Sequence, residues 1–325
     1  MEQQVLKTIK KYNLIEKQDK IVLGVSGGPD SMAMLYSFIK LKKELDIELI
    51  VAHINHKIRK EADLEQEYVK SFCIKYNIPF YSEEVEIKAI SKSEKISEEE
   101  AGRNERYKFF NQVLTRENAN KIAIAHNKND NVETMFLNMF RGTGISGLKG
   151  ISISRDNIIR PLLEIEREAI EEYCKDNRLH PMIDKTNLEN NYGRNKIRNI
   201  IIPYIKKEFN SNIITTLTRL SEVVKDEEEY ILGQTKNSFE KIVRKQGKNV
   251  IELDLNSFNI EHIVIKSRLI LYTIKKIIGS TIGIEKVNVQ DIIKMCAKAE
   301  GNKYLNPTKD LKVSIANKTI YFEKI

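Results

Sequence analysis

The run Ser26-Gly27-Gly28-Pro29-Asp30-Ser31 has the residue types and order of a loop that binds phosphate. It directly follows the apolar run 21–25 and precedes a helical pattern that begins near Met32. The two glycines permit a tight turn and a close backbone approach to an anion, and the amides at the helix start point to the same place. The sequence therefore predicts a phosphate cradle here, with an ordinary turn between strand and helix as the alternative.

Two other phosphate-binding patterns fit this chain less well. No G-x-x-x-x-G-K-[ST] occurs in the sequence. A G-x-G-x-x-G does occur at Gly142, Gly144 and Gly147, but it follows a helical pattern rather than a strand. Neither a Walker loop nor a dinucleotide fold is therefore indicated.

Two carboxylates, Asp130 and Glu133, follow the fourth apolar run, 121–125. Three residues apart on a helical pattern, they share one face and can address one ligand. Their place at the end of a predicted strand favours a ligand site over a solvated surface. Farther along, Arg194 and Arg198 are four residues apart and can present two guanidinium groups to phosphates or to a carboxylate.

Three of the five histidines lie close to these segments, namely His53, His56 and His126. They lack the helical spacing of a metal-binding pair. Contacts to a nucleotide, or a structural role, are therefore preferred over zinc ligation.

The composition is that of a folded, water-soluble chain with an excess of positive charge. It has 325 residues, with 54 Lys and Arg against 46 Asp and Glu, a net charge of +8 and a pI near 9.1. This favours anionic partners. The amino terminus lacks an export signal and no apolar run is long enough to span a membrane, so a cytoplasmic location is expected. The three cysteines are far apart in sequence, which disfavours a disulfide framework or a clustered metal site.

The order of apolar runs and helical patterns predicts the fold. In the first half, strand-like runs at 21–26, 47–54, 80–85 and 121–125 alternate with helical patterns, which indicates an α/β fold with a doubly wound, mainly parallel sheet. Ligands bind at the carboxyl ends of such strands, hence just after Val25, Ala52 and Ala125. We assign residues 1–214 to this domain and residues 215–325 to a smaller α+β domain.

The loop Ser26–Ser31 resembles the PP-loop of the N-type ATP pyrophosphatases, and further blocks resemble the tRNA(Ile)-lysidine synthetase family. These blocks are His53-Ile54-Asn55-His56-Lys57-Ile58-Arg59, Ala101-Gly102-Arg103-Asn104-Glu105-Arg106-Tyr107, Ala125 to Thr134, Arg141 to Gly144, Arg160-Pro161-Leu162, Asp184 to Asn187 and Tyr192 to Arg198. Two positions depart from the family pattern: Gly102 stands in place of an alanine and Asn129 in place of an aspartate.

The resemblance implies an ATP-dependent ligase that joins free L-lysine to the wobble cytidine of a tRNA(Ile) with a CAU anticodon, with AMP and pyrophosphate as products. It implies ATP and Mg²⁺ as cofactors and leaves the oligomeric state open, a homodimer included. It also implies that the second domain is an accessory tRNA-binding domain. The expected roles are catalytic for Asp30, Asp130 and Glu133; metal-binding for Asp30; nucleotide-binding for Ser26, Gly27, Gly28, Pro29, Asp30, Ser31, Ala52, His53, Asn55 and Arg103; and substrate- or tRNA-binding for Arg106, His126, Thr134, Arg141, Arg194 and Arg198.

Two alternatives remain at this stage. A tRNA thiolase can use the same PP-loop scaffold, although such enzymes usually rely on paired cysteines. A tRNA-binding protein with a vestigial nucleotide site is the other, and the missing carboxylate at Asn129 keeps it open.

Overall fold

The computed structural model describes residues 1–57, 61–182, 193–298 and 303–325. The chain divides into two compact units, Met1–Glu222 and Val223–Ile325. The boundary between the two units falls within the long helix α10 (Ile213–Ile242). The boundary predicted from the sequence, between residues 214 and 215, lies near the start of the same helix.

The first unit alternates strands and helices along the chain. Its strands are β1 (Lys20–Gly24), β2 (Glu48–Asn55), β3 (Phe80–Glu84), β4 (Lys121–Ile124), β5 (Ser154–Arg155) and β6 (Ile158–Ile159). Its helices are α1 (Glu2–Lys11), α2 (Pro29–Leu45), α3 (Glu61–Lys75), α4 (Ile87–Glu94), α5 (Glu98–Arg116), α6 (Lys128–Phe140), α7 (Arg167–Asp176), α8 (Gly193–Lys196) and α9 (Ile202–Glu208). A 3₁₀ turn covers Ile145–Lys149, and a π-helical turn, Ile197–Ile201, joins α8 to α9.

These strands form a six-stranded sheet in the order β3-β2-β1-β4-β6-β5. All neighbouring pairs are parallel except β5 with β6. The predicted doubly wound, mainly parallel sheet is thereby confirmed. Because the strand order reverses between β1 and β4, the loops after these two strands diverge and leave a crevice between them.

The core of the first unit explains why these runs form buried strands. Ile21, Val22 and Leu23 of β1 are fully buried, as expected for a parallel strand covered on both faces. Gly24 lies where α5 crosses the strand: a Cβ atom there would lie 2.6 Å from Cε2 and Cζ of Phe110. Glycine therefore permits α5 to pack closely over β1.

The second unit has a five-stranded antiparallel sheet and three further helices. Its strands are β7 (Val243–Gln246), β8 (Val250–Asp254), β9 (Tyr304–Thr308), β10 (Leu311–Ala316) and β11 (Thr319–Lys324), in the order β7-β8-β11-β10-β9. Its helices are α11 (Leu255–Ile260), α12 (Ile263–Ile278) and α13 (Lys286–Lys298). Alternation of buried and partly exposed residues in β10 shows that one face of the sheet meets the apolar core. Within the described residues, no helix is long and apolar enough to cross a membrane.

Candidate active site

The loop between β1 and α2 adopts the turn that its glycines predict. Gly27 has a φ of +90°, in the left-handed region, and Gly28 caps α2 with extended backbone angles. The Ser31 hydroxyl donates to the Gly28 carbonyl at 3.0 Å, and the backbone amide of Ser26 donates to the Ser31 oxygen at 3.1 Å. These contacts fix the loop as a ring at the amino-terminal end of a 17-residue helix, where the helix dipole favours an anion.

The loop after β4 is tied to the PP-loop by the side chain of Asn127. Its Nδ2 donates to Oδ1 of Asp30 at 2.8 Å, while its Oδ1 accepts from the backbone amide of Asp130 at 2.9 Å. The Asp130 carboxylate accepts from the Asn127 amide at 3.0 Å, which completes a reciprocal cap at the start of α6. The two carboxylates predicted from separate motifs therefore lie on either side of one asparagine.

Glu133 and Asp130 are held by the two predicted arginines. Arg194 donates through Nε to Glu133 at 2.9 Å, and Arg198 donates through Nε to the other oxygen of Glu133 at 2.6 Å. Arg198 also reaches Asp130 Oδ1 through Nη2 at 3.0 Å. The Thr134 hydroxyl donates to the Asp130 carbonyl at 2.8 Å. The arginines thus bind protein carboxylates, which is one of the two uses that their spacing allows.

The two carboxylates of α6 differ in exposure. The Glu133 side chain is 1% exposed and both its oxygens accept from guanidinium groups, whereas the Asp130 side chain is 12% exposed. Asp130 lines a cavity of about 1010 Å³ together with Ser26, Gly28 and Asp30, and Glu133 does not. A ligand in this cavity can therefore contact Asp130 and Asp30 directly.

The Asp30 carboxyl is electrostatically perturbed. Burial, followed by the negative charge of Asp130, raises its pKa to about 6. The hydrogen bond from Asn127 and the charges of Arg167 and Arg198 act in the opposite direction. Two carboxylates that repel each other in a crevice need a cation or a proton between them.

These carboxylates suit Mg²⁺ better than they suit zinc. Mg²⁺ is usually bound by one or two carboxylates together with phosphates and water, and Asp30 and Asp130 supply such a pair beside the PP-loop. In the described part of the chain, His, Cys, Asp and Glu form no cluster of three that could enclose a metal ion. The residues therefore fit a metal ion that arrives with a nucleotide.

His53 is buried within β2, His56 just after this strand is partly buried, and both are neutral at pH 7. His53 donates through Nδ1 to the Val25 carbonyl at 2.9 Å, so that its unprotonated Nε2 is buried without a partner among the described residues. Burial lowers its pKa. Burial, followed by the charge of Arg106, lowers the pKa of His56 to about 4. Beside them, Ala52 accepts through its carbonyl from the Val25 amide at 3.0 Å, which ties β2 to the start of the PP-loop.

Asn55 organises the turn after β2. Its Nδ2 donates to Asp63 at 2.8 Å and its Oδ1 accepts from the Lys57 amide at 3.0 Å. Both Nδ2 and Oδ1 of Asn55 are therefore hydrogen-bonded to other residues of the protein. The predicted nucleotide contact of Asn55 remains untested.

His126 is oriented by Arg160, the first residue of the Arg160-Pro161-Leu162 block. Arg160 donates through Nε to Nδ1 of His126 at 3.0 Å and through Nη1 to the Ser152 carbonyl at 2.7 Å. Because a guanidinium cannot accept, His126 carries its proton on Nε2. Burial lowers the pKa of His126 to about 4, a shift that the charge of Arg160 reinforces and that of Asp130 opposes.

The other predicted cations lie apart from the cavity lining. Arg103 and Arg106 are exposed on α5, where the Arg103 guanidinium lies 5.1 Å from the ring centre of Tyr107. Arg141 is exposed at the end of α6. The structure does not bring these three together with Asp30, and they leave an exposed positive surface available to a polyanion.

Two site residues were missed at the sequence level. Asn127 carries a detectable signal, because an asparagine followed three residues later by an acidic residue is a typical helix start. Arg167, which lines the cavity from α7, carries none, since only the folded chain brings it to the PP-loop. Ile58, Arg59, the block Asp184 to Asn187, and Tyr192 lie outside the described residues.

Known proteins resemble this chain over most of its length. A family model described as a PP-loop domain matches residues 1–205. A tRNA(Ile)-lysidine synthase from Clostridioides difficile (strain 630) is 43% identical over 309 residues, covering 94% of this chain and 67% of that protein. The chain belongs to the tRNA(Ile)-lysidine synthase family. Another member of this family, from Petrotoga mobilis (strain DSM 10674 / SJ95), is 42% identical over 223 residues, covering 69% of this chain and 71% of that protein.

The chain spans about two thirds of the length of such lysidine synthases. A third, from Caldanaerobacter subterraneus subsp. tengcongensis, is 44% identical over 304 residues, which cover 93% of this chain and 65% of that protein. The match therefore includes both units of the present chain.

A solved structure shares the fold of the first part of this chain. The U34-tRNA thiolase from Methanococcus maripaludis, solved with its [4Fe-4S] cluster, matches with a TM-score of 0.58 at 20% identity, covering 69% of this chain and 78% of that one. Here Cys73, Cys174 and Cys296 are buried on three separate helices. Burial raises the pKa of these thiols to about 12, 11 and 12, respectively, so they are poor nucleophiles.

Proposed function

We propose that the chain joins free L-lysine to C2 of the wobble cytidine in a tRNA(Ile) with a CAU anticodon, at the expense of ATP. The observation that carries this proposal is the shared cavity of the PP-loop and Asp130, in a chain of the lysidine synthase family. No described feature favours sulfur transfer.

The PP-loop holds the triphosphate in this proposal. Ser26, Gly27, Gly28 and Ser31 surround the phosphates at the start of α2, and Pro29 sets the first helical turn. Asp30 would hold Mg²⁺, which when bound neutralises charge on the phosphates. Ala52, His53 and Asn55 are the remaining nucleotide contacts, whereas Arg103, which lies outside the cavity lining, belongs with the cations that face the tRNA.

The proposed reaction has two steps. The C2 oxygen of cytosine attacks the α-phosphorus, an O–P bond forms, and pyrophosphate leaves. The lysine ε-amine then attacks C2, an N–C bond forms, and the C2–O bond breaks with release of AMP. Adenylation is needed because the C2 oxygen is otherwise a poor leaving group.

The lysine ammonium must lose a proton before it attacks. At neutral pH this costs about 4–5 kcal/mol for an amine of pKa about 10.4. Asp130 faces the cavity and can orient the ammonium and accept its proton, whereas Glu133 is enclosed by Arg194 and Arg198. We therefore assign the contact with lysine to Asp130 and the positioning of the two arginines to Glu133.

The tRNA approaches along the exposed cations in this proposal. Arg103, Arg106 and Arg141 provide a positive surface for the backbone, with His126 and Thr134 nearer α6 and the cavity. The target base must leave its stack, which costs less in an anticodon loop than in a duplex. The second unit, Val223–Ile325, serves as an accessory tRNA-binding domain, and a cytoplasmic location follows from the substrate.

One assay tests the whole proposal. Purified protein is incubated with ATP, Mg²⁺, labelled lysine and two transcripts that differ only in a CAU or a GAU anticodon. Label should enter the first transcript alone, with one AMP released for each lysine incorporated. Incorporation into both transcripts, or into neither, would contradict the proposal.

Asp130→Asn tests, in the same assay, whether Asp130 is the carboxylate of α6 that acts on lysine. The change keeps the size of the side chain but removes the negative charge that faces the cavity. We expect it to abolish lysine incorporation, and near-normal incorporation would remove Asp130 from the catalytic residues.

A further inference from the structure

The wall of the cavity carries a cation with unused donors, Arg167. It is the first residue of α7 and lines the cavity together with Ser26, Gly28 and Asp30. Its Nε donates to Glu171 at 2.8 Å, one helical turn away. Within the described part of the chain, neither Nη atom of Arg167 has a hydrogen-bond partner.

Two of the other cations that line the cavity are already engaged by protein carboxylates. Arg198 is bound to Glu133 and Asp130, and the Lys206 ammonium lies 3.1 Å from Glu168. A triphosphate brings about four negative charges into a crevice that already contains Asp30 and Asp130. It therefore requires a cation whose donors remain available, and Arg167 provides a guanidinium for this purpose.

The backbone fixes the position of Arg167 relative to the PP-loop. Its amide donates to Oδ1 of Asn129 at 3.1 Å, and the adjacent Lys128 amide donates to the Ile165 carbonyl at 2.9 Å. On the other side of α7, the Cys174 thiol lies 3.6 Å from the carbonyl oxygen of Pro29. Helix α7 is thus attached at its start to the cap of α6 and, through Cys174 near its end, to the start of α2.

Asn129 has a clear structural use in this arrangement. Its side-chain oxygen is the acceptor that holds the start of α7, and an amide supplies that oxygen as an aspartate would. The departure from the family pattern therefore preserves the contact that positions Arg167.

We propose that Arg167 binds the phosphates of the nucleotide in the cavity that it shares with the PP-loop. The guanidinium presents its two Nη groups to phosphate oxygens, and a second cation at this position stabilises the charge of the departing pyrophosphate. The inference rests on the proposed function for the identity of the reaction, but the binding of ATP and pyrophosphate can be measured without it.

The first test is direct binding to the full chain. The dissociation constants of ATP and of inorganic pyrophosphate, each with Mg²⁺, are measured by calorimetry for the wild type, Arg167→Gln and Arg167→Lys. Loss of a charge-assisted hydrogen-bonding pair should weaken both ligands by about ten- to a hundredfold in Arg167→Gln. Arg167→Lys keeps the charge but loses the fork, so a smaller loss is expected.

The matched control is Arg155→Gln, an identical change at a side chain that is 58% exposed on β5. It should alter both dissociation constants by no more than about twofold. Folding of Arg167→Gln should be retained, because the side chain is 31% exposed and the contact with Asn129 is made by the backbone. If that variant does not fold, unchanged pyrophosphate binding by Arg167→Lys would overturn the proposal.

Kinetics distinguish a phosphate ligand from the carboxylate of lysine. In lysidine formation, Arg167→Gln should raise the KM for ATP and leave the KM for lysine unchanged. A rise confined to the KM for lysine, or unchanged affinity for ATP and pyrophosphate, overturns the assignment. If the wild type binds ATP but makes no lysidine, while Arg167→Gln weakens ATP binding, the proposed function fails and the role of Arg167 stands.

Discussion

Asp30→Asn should stabilise the folded chain while it removes activity. The pKa of Asp30 is raised from 3.8 to about 6, first by burial and then by Asp130, so that keeping this group ionised opposes folding above pH 6. Since a tenfold change in proton affinity is worth about 1.4 kcal/mol, the full effect is about 3 kcal/mol. Solvent screening of this partly exposed group lowers the expectation to about 1–2 kcal/mol. Asparagine removes the charge and still accepts the hydrogen bond from Asn127.

The stabilisation by Asp30→Asn should increase as the pH rises. Between pH 6 and pH 4 the folded wild type binds more protons at Asp30 than the unfolded chain does, so the penalty from Asp30 decreases as the pH falls. The stability difference between Asp30→Asn and the wild type should therefore be largest near pH 7.5 and nearly vanish at pH 4. The histidines are common to both proteins and cancel in the comparison.

Urea unfolding followed by circular dichroism, with EDTA and without nucleotide, measures this difference. Asp156→Asn is the control, because the Asp156 side chain is 85% exposed and the same substitution there should leave stability unchanged. Asp30→Asn should also lose lysidine formation. An Asp30→Asn protein that is no more stable than the wild type at pH 7.5, or a difference that does not change with pH, would refute the reasoning.

Three further substitutions test the packing around the site. Gly24→Ala should destabilise the chain by about 1–3 kcal/mol in urea unfolding, because its Cβ would lie 2.6 Å from the buried Phe110 ring; unchanged stability would contradict the close packing. Glu133→Gln should cost about 3 kcal/mol by removing the buried carboxylate that Arg194 and Arg198 share, with Arg198 keeping its bond to Asp130, and a thermal melt equal to that of the wild type would exclude this role. Gly102→Ala should stabilise α5 by about 0.5–1 kcal/mol, since its Cβ would meet His56 at an ordinary 3.6 Å; a lowered melting temperature would show that this space is not available.

The doubly wound sheet could be predicted because its signals are local. Strands covered on both faces appear as continuous apolar runs, as in Ile21–Leu23, and the loop that follows β1 has a residue pattern of its own. The shortest and outermost elements were missed. β6 has two residues, and β9 contains Pro307 between polar neighbours, so pairing with a neighbouring strand rather than composition defines them.

The difference in exposure between Asp130 and Glu133 could not be predicted from their spacing alone. Residues three apart on an α-helix differ by about 60° in direction, which is enough for one to face a cavity while the other is buried. The partners that make this choice, Arg194 and Arg198, lie more than sixty residues away in sequence. Arg167 is likewise far from the PP-loop in sequence, and no local sequence pattern indicates that the two line the same cavity.

The π-helical turn Ile197–Ile201 has a consequence for how this region can diverge. Such a turn contains one residue more than an α-helical turn, and Arg198 lies within it. Removing one residue here would rotate everything downstream by about 100° about the helix axis, so that α9 would present a different face to the rest of the unit. Substitutions on the outward side of this segment can accumulate freely, whereas insertions and deletions cannot.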